Sequence, residues 1–122
     1  MAAITSFRDL DVWRRSMALA KSAYEATREF PKSEEYRISS QIVRASISIP
    51  ANIAEGFARS TRKDYRHFVG IARGSSAELE TLLLLSIDLG FGSDPQMRSI
   101  LEDNENVSRM LNKLHQRLAP KT

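Results

Sequence analysis

The sequence predicts an all-α protein, an antiparallel up-down-up-down four-helix bundle. Apolar residues recur at three- and four-residue spacings along nearly the whole chain, while alternating β-branched runs are scarce. Four prolines and five glycines divide that pattern into four stretches with short connections, which suits a bundle of antiparallel neighbours. No linker is long enough to separate independent units, so residues 1–122 read as a single domain.

The first helix is expected over about residues 10–29. Trp13, Met17, Ala20 and Tyr24 share a face, with Val12, Leu19, Ala23 and Phe30 beside it and Arg14, Lys21 and Glu25 opposite. Pro31 ends it by disfavouring a helical Phe30. The second helix is expected over about 33–57, with Ser33 as N-cap and Glu34 and Glu35 at the positive end of the dipole. Pro50 lies inside it, removes a bond to the Ser46 carbonyl and predicts a bend. The third spans about 61–89, with Ser60 as cap candidate and Asp64 in the first turn. Phe68, Ile71, Ala72, Ser75, Leu79, Leu82 and Leu89 form its expected inner face, and Gly90 and Gly92 stop it. The fourth spans about 94–118, opening on Asp94 before Pro95, with a stripe of Met97, Ile100, Leu101, Val107, Leu111, Leu114 and Leu118. Residues 119–122 are expected to fray.

Composition narrows the chemistry. Hydrophobic residues at 42% and charged residues at 27% exclude a disordered or membrane-embedded chain. The formal charge of +3 and pI near 9.5 permit an acidic partner without requiring one. The absence of cysteine removes disulfides, thiolate metal sites and cysteine nucleophiles. A di-metal bundle site needs two Glu-x-x-His pairs, whereas His115 has no acid three residues before it and His67 has only Asp64, a first-turn helix charge. No phosphate loop or Ser/His/Asp arrangement is present, and Gly70 and Gly74 read as points of close helix approach. The expectation is therefore a non-enzyme with no catalytic residues, no metal and no cofactor. The N-terminus has no apolar core of signal-peptide length and no apolar run approaches a membrane span, so a cytoplasmic protein without membrane contact is expected.

The second helix is the anomaly. Arg37, Gln41, Arg44, Ser48, Asn52 and Glu55 line up within about 80° of the helical wheel. Most of the remaining arc is apolar, including five isoleucines from Ile38 to Ile53. A helix apolar nearly all round is enclosed, so a second apolar face is expected to meet another subunit, with Val43, Ile47 and Ala54 as interface candidates. Within the polar stripe, Arg44, Asn52 and Glu55 are assigned to a structural hydrogen-bond network with Glu78 of the third helix, the alternative being an acid–base pair of Glu55 and Glu78.

A basic stripe follows. Arg59, Arg62, Arg66 and Arg73 project within about 60° of one another if the third helix extends back through Arg59, with Lys63 flanking them. Arg14, Arg15, Lys21, Lys113 and Arg117 add charge on the first and fourth helices. These residues read either as a solvated face with local partners, such as Glu80 for Arg73, or as a phosphate-tracking surface for RNA or DNA. A symmetric ring of subunits would focus that charge about one axis. With only Phe57, Tyr65 and Phe68 near the stripe, base-specific reading is not expected.

The strings FRDLDVW, QIVRASISIPANIAEG and DYRHFVGIARGSSAELET together resemble the 23S rRNA intervening-sequence family, over about Phe7 to Leu118. The resemblance implies an antiparallel four-helix bundle forming a ring-like homopentamer with a central channel. It also implies an association with open reading frames inside insertions of bacterial ribosomal RNA genes. The family is similar to the accessory protein of diversity-generating retroelements, a pentamer that binds nucleic acid and a reverse transcriptase. The partners implied are therefore a second copy of the chain, RNA or DNA, and a reverse transcriptase-like or other protein. No catalytic residue is established for the family, and Arg44, Asn52, Glu55, Gly56 and Glu78, which match its motif positions, are assigned structural roles. The alternative function is a protein-interaction scaffold with no direct nucleic-acid role.

Overall fold

The computed structural model describes residues 4–121, so Thr122, one of the residues expected to fray, lies outside them. A 3-10 turn, Phe7–Asp9, leads into α1 (Asp11–Thr27), followed by α2 (Ser40–Phe57), α3 (Arg62–Asp88) and α4 (Asp94–Arg117). Among the described residues there is no strand. Each helix packs mainly on its neighbours in sequence, α2 on α3 most extensively, and α1 on α4 closes the square. None of these helices is long and apolar enough to cross a membrane.

Three helices begin and end within two residues of expectation, but α2 starts seven residues later. Lys32–Glu34 form a 3-10 turn and Glu35–Ser39 one wide π-type turn, broken at Arg37 (φ −114°, ψ −112°). Lys32, Ser33, Glu35, Tyr36 and Arg37 are all exposed. Without an apolar face to bury before Ile38, good capping residues alone do not sustain a helix. Caps shift locally too. Thr61, rather than Ser60, accepts from the Asp64 amide at 3.1 Å, and Ser93 takes the cap position ahead of Asp94 and Pro95. α2 is continuous through buried Pro50. At the end of α3 the Phe91 and Gly90 amides donate to the Ser86 and Ile87 carbonyls at 2.9 and 3.0 Å, a Schellman closure that requires the positive φ of Gly90 (75°).

The core faces of α1 and α3 overlap those expected but are rotated in part. α1 buries Val12, Ser16, Leu19, Ala20, Ala23 and Ala26, while Met17 and Tyr24 stay nearly half exposed. α3 buries Val69, Ala72, Ser76, Leu79, Leu82, Leu83 and Ser86, leaving Ile71 and Leu89 outside. Small side chains occupy the seams because they let helix backbones approach, and Ser16, Ser46, Ser76 and Ser86 satisfy their hydroxyls locally or across the seam. Close approach also falls on a different glycine. A Cβ on Gly56 would lie 2.9 Å from Phe68 Cβ and 3.1 Å from the Tyr65 carbonyl oxygen. Gly74 has nothing within 4 Å, and Gly70 only His115 Nε2 at 3.7 Å, so neither is required for packing.

The apolar girth of α2 is largely absorbed by its own chain. Ile42, Ala45, Ile49, Pro50, Ile53 and Gly56 are buried against neighbouring helices. The strip left over is narrow: Ile47 is 51% exposed, Val43 and Ala54 are half-buried, and Ala51 is exposed. The circumference of α2 therefore does not by itself demand a second subunit, contrary to the expectation from sequence.

Candidate functional site

The N-terminal half of α3 lies beside the C-terminal half of α4, and the basic stripe runs along their seam. Arg62 donates to the Arg117 carbonyl, and Arg66 Nε donates to the His115 carbonyl at 3.2 Å. Arg73 Nε donates to Asn112 Oδ1 at 2.8 Å, and its Nη1 donates to His115 Nδ1 at 3.1 Å. The last carbonyls of a helix have no partners within it and form the negative end of its dipole, so guanidinium groups placed there stabilise α4. Arg73 thus finds its partners on α4 rather than at Glu80. Arg59 turns the other way, 3.7 Å from Glu55 and 4.7 Å from the centre of the Phe68 ring. Lys63 is exposed and makes no hydrogen bond or ion pair among the described residues. The stripe combines local structural partners with free donors, since each arginine that caps α4 uses only some of its five N–H groups.

Arg62, Lys63 and Arg66 rim a pocket of about 830 Å³ lined also by His67, Gly70, Ile71, His115, Leu118 and Pro120. His115 holds the inner wall. Because arginine only donates, His115 Nδ1 accepts, and the proton of the neutral ring sits on Nε2, the atom nearest Gly70. Desolvation, then the charges of Arg66 and Arg73, lowers the His115 pKa below the ordinary value of 6.5.

Charge is strongly segregated around this seam. Residues 56–77 and 106–121 carry nine lysines and arginines against one acid, Asp64, a formal +8 that includes Arg59 and Arg109, each paired with an acid just outside these segments, Glu55 and Glu105. The rest of the chain has nine such cations and fourteen acids, a formal −5. The modest net charge hides a polarised molecule.

The polar stripe of α2 divides. Asn52 Nδ2 donates to the Ser48 carbonyl and hydroxyl at 2.8 and 2.9 Å, and Ser48 and Ser75 share a hydroxyl hydrogen bond of 2.7 Å across to α3. Arg37 lies outside the helix, near Glu34 at 3.8 Å. Glu55 pairs with Arg59 rather than with Glu78. Arg44 and Glu78 line one open groove with Gln41, Ile47, Ser48 and Ser75, and neither forms a hydrogen bond or ion pair among the described residues. The assigned network thus contains Asn52 but not Arg44, Glu55 or Glu78, because these three side chains point toward solvent. Among the described residues no group of three or more His, Asp or Glu could hold a metal ion.

Two functional features escape sequence reasoning. Asn104, only 2% exposed, occupies an inner position of α4 where its amide exchanges hydrogen bonds with Ser76: hydroxyl to Oδ1 at 2.8 Å, Nδ2 to carbonyl at 3.0 Å. Its place between Ile100 and Val107 on the apolar stripe is the signal available in sequence. His115 joins the basic seam only through tertiary packing. Burial also raises the Tyr65 hydroxyl above its usual 10.0.

An all-helical bundle with one strongly basic seam defines the class. The chain belongs to the 23S rRNA-intervening sequence protein family, whose sequence profile matches residues 8–113. It is similar to a crystal structure of a protein with unknown function from the S23 ribosomal protein family of Bacteroides thetaiotaomicron, with TM-score 0.78 and 27% identity over 86% of this chain and 98% of that one. No curated protein matches it.

Proposed function

We propose that this protein is a non-enzymatic, homo-oligomeric helical bundle that holds RNA or DNA by its phosphates along the α3–α4 seam. The observation that carries the reading is that Arg62, Lys63, Arg66, Arg73, Lys113, Arg117 and Lys121 gather with one acid, Asp64, on two packed segments of a chain whose remainder is negative. Arginines fixed to α4 carbonyls or to the Asn112 side chain present their remaining N–H groups without losing much side-chain freedom on binding. Lys63 extends the positive surface. A phosphate-dominated complex loses affinity linearly in log–log with salt. Titration of generic RNA and DNA at several salt concentrations should give that steep dependence, and Lys63→Gln should lower its slope by about one phosphate contact. Affinity that hardly changes with salt defeats the proposal. Exposed Ile47, flanked by half-buried Val43 and Ala54, supports self-association, and the family resemblance supports five copies in a ring.

A protein-scaffold reading draws on a different feature. Leu84, Leu85 and Leu89 are about half exposed at the far end of α3, away from the basic seam. A protein partner, reverse transcriptase-like or otherwise, that co-purifies after nuclease treatment favours this reading.

A further inference from the structure

The α3–α4 pocket combines two chemistries that a bare phosphate-tracking surface does not need. Its rim is cationic, with Arg62, Lys63 and Arg66. Its apolar part, the floor, is made by Ile71, Leu118, Pro120 and Gly70, which adds no side chain. The imidazoles of His67 and His115 complete the lining. A volume of about 830 Å³ lies in the range of small-molecule sites.

We propose that this pocket binds a single nucleoside monophosphate unit, with phosphate on the cationic rim and the base over the Gly70–Ile71 floor beside the imidazoles. The inference deepens the nucleic-acid reading and rests on it only for the location of the positive charge. Charge complementarity selects an anion. The apolar floor and planar rings select one with a flat, largely uncharged body, since bases stack on rings and guanidinium planes. Gly70 keeps the floor open: a Cβ there meets only His115 Nε2, at 3.7 Å, so a longer side chain would grow into the pocket. The neutral His115 ring carries its proton on that same Nε2, which leaves a donor for a base edge or ribose oxygen. The unit has two possible sources, a free mononucleotide or the end of a single strand.

Calorimetric titration of the full chain with adenosine 5′-monophosphate, adenosine and inorganic phosphate tests the proposal. The monophosphate should bind at least tenfold more tightly than either fragment. Gly70→Leu, which fills the floor and keeps every cation, should weaken it at least tenfold while leaving salt-dependent binding of long duplex RNA in place. Lys63→Gln touches no packing contact and should weaken the monophosphate with the thermal midpoint unchanged, which covers the case of a Gly70→Leu protein that does not fold. A 5′-phosphorylated single-stranded RNA octamer that binds more tightly than the monophosphate, and loses that advantage in Gly70→Leu, assigns the strand end. An octamer no tighter than the monophosphate assigns the free nucleotide. Monophosphate binding no tighter than that of phosphate, or unaffected by both substitutions, overturns the pocket assignment. Loss of duplex binding in the parent protein would instead overturn the phosphate-surface reading.

Discussion

Gly56 sits where α2 meets the first turns of α3, with the Phe68 Cβ and the Tyr65 carbonyl closer than a methyl group tolerates. Gly56→Ala should therefore destabilise the bundle by about 1–3 kcal/mol, the cost of forcing a packed seam apart. Gly74→Ala meets open space and should stabilise it by about 0.5–1 kcal/mol, because alanine is the better helix former. Urea melts of the two variants should move in opposite directions, and a shared sign would refute this assignment of the close contact. Asn104 is the other decisive single residue. Asn104→Ala strips both partners from Ser76 in the core and should cost about 1–3 kcal/mol by the same measurement. A neutral result would show that the Asn104–Ser76 pair contributes little net stability.

α4 ends on a cluster in which arginines of α3 satisfy its carbonyls and a neutral His115 accepts from Arg73. Protonating His115 removes that acceptor and adds a third charge beside Arg66 and Arg73. The sign follows from linkage: the folded pKa lies below the unfolded one, so the unfolded chain binds the proton first. The stabilisation is present above pH 6.5 and is lost as pH falls from there through the depressed folded value. Thermal melts between pH 7 and pH 5 should show the parent losing more stability than His115→Gln, which has no ionisable group at this position. Parallel pH profiles for the two proteins would contradict the assignment. α2 teaches a related lesson at its start, where capping residues without a buried face leave Lys32–Ser39 as irregular turns.

For the whole molecule the question is what covers Ile47. The chain's own helices bury most of α2, so the self-association reading now rests on a strip with one large side chain rather than on a whole greasy face. Ile47→Asp should lower the solution mass measured by light scattering while leaving the helical circular dichroism spectrum intact. A variant that keeps the parental mass would move the interface elsewhere, to Leu84, Leu85 and Leu89 for instance.

Periodicity alone was enough to determine an all-helical chain, four helices, the bounds of three of them and the alignment of the α3 arginines, since these depend on neighbours a few residues away. Rotation of the helices was not legible, because serines and alanines such as Ser16, Ala26 and Ser76 look neutral in sequence yet take the seams where backbones come closest. Pairing was not legible either. Only packing brings Arg66 and Arg73 to His115 and Asn112, 39 to 49 residues away along the chain, and leaves Arg44 and Glu78 without each other. Local spacing sets which residues share a helix face. Which face turns inward, and what it meets there, depends on how four helices divide a limited interior among them.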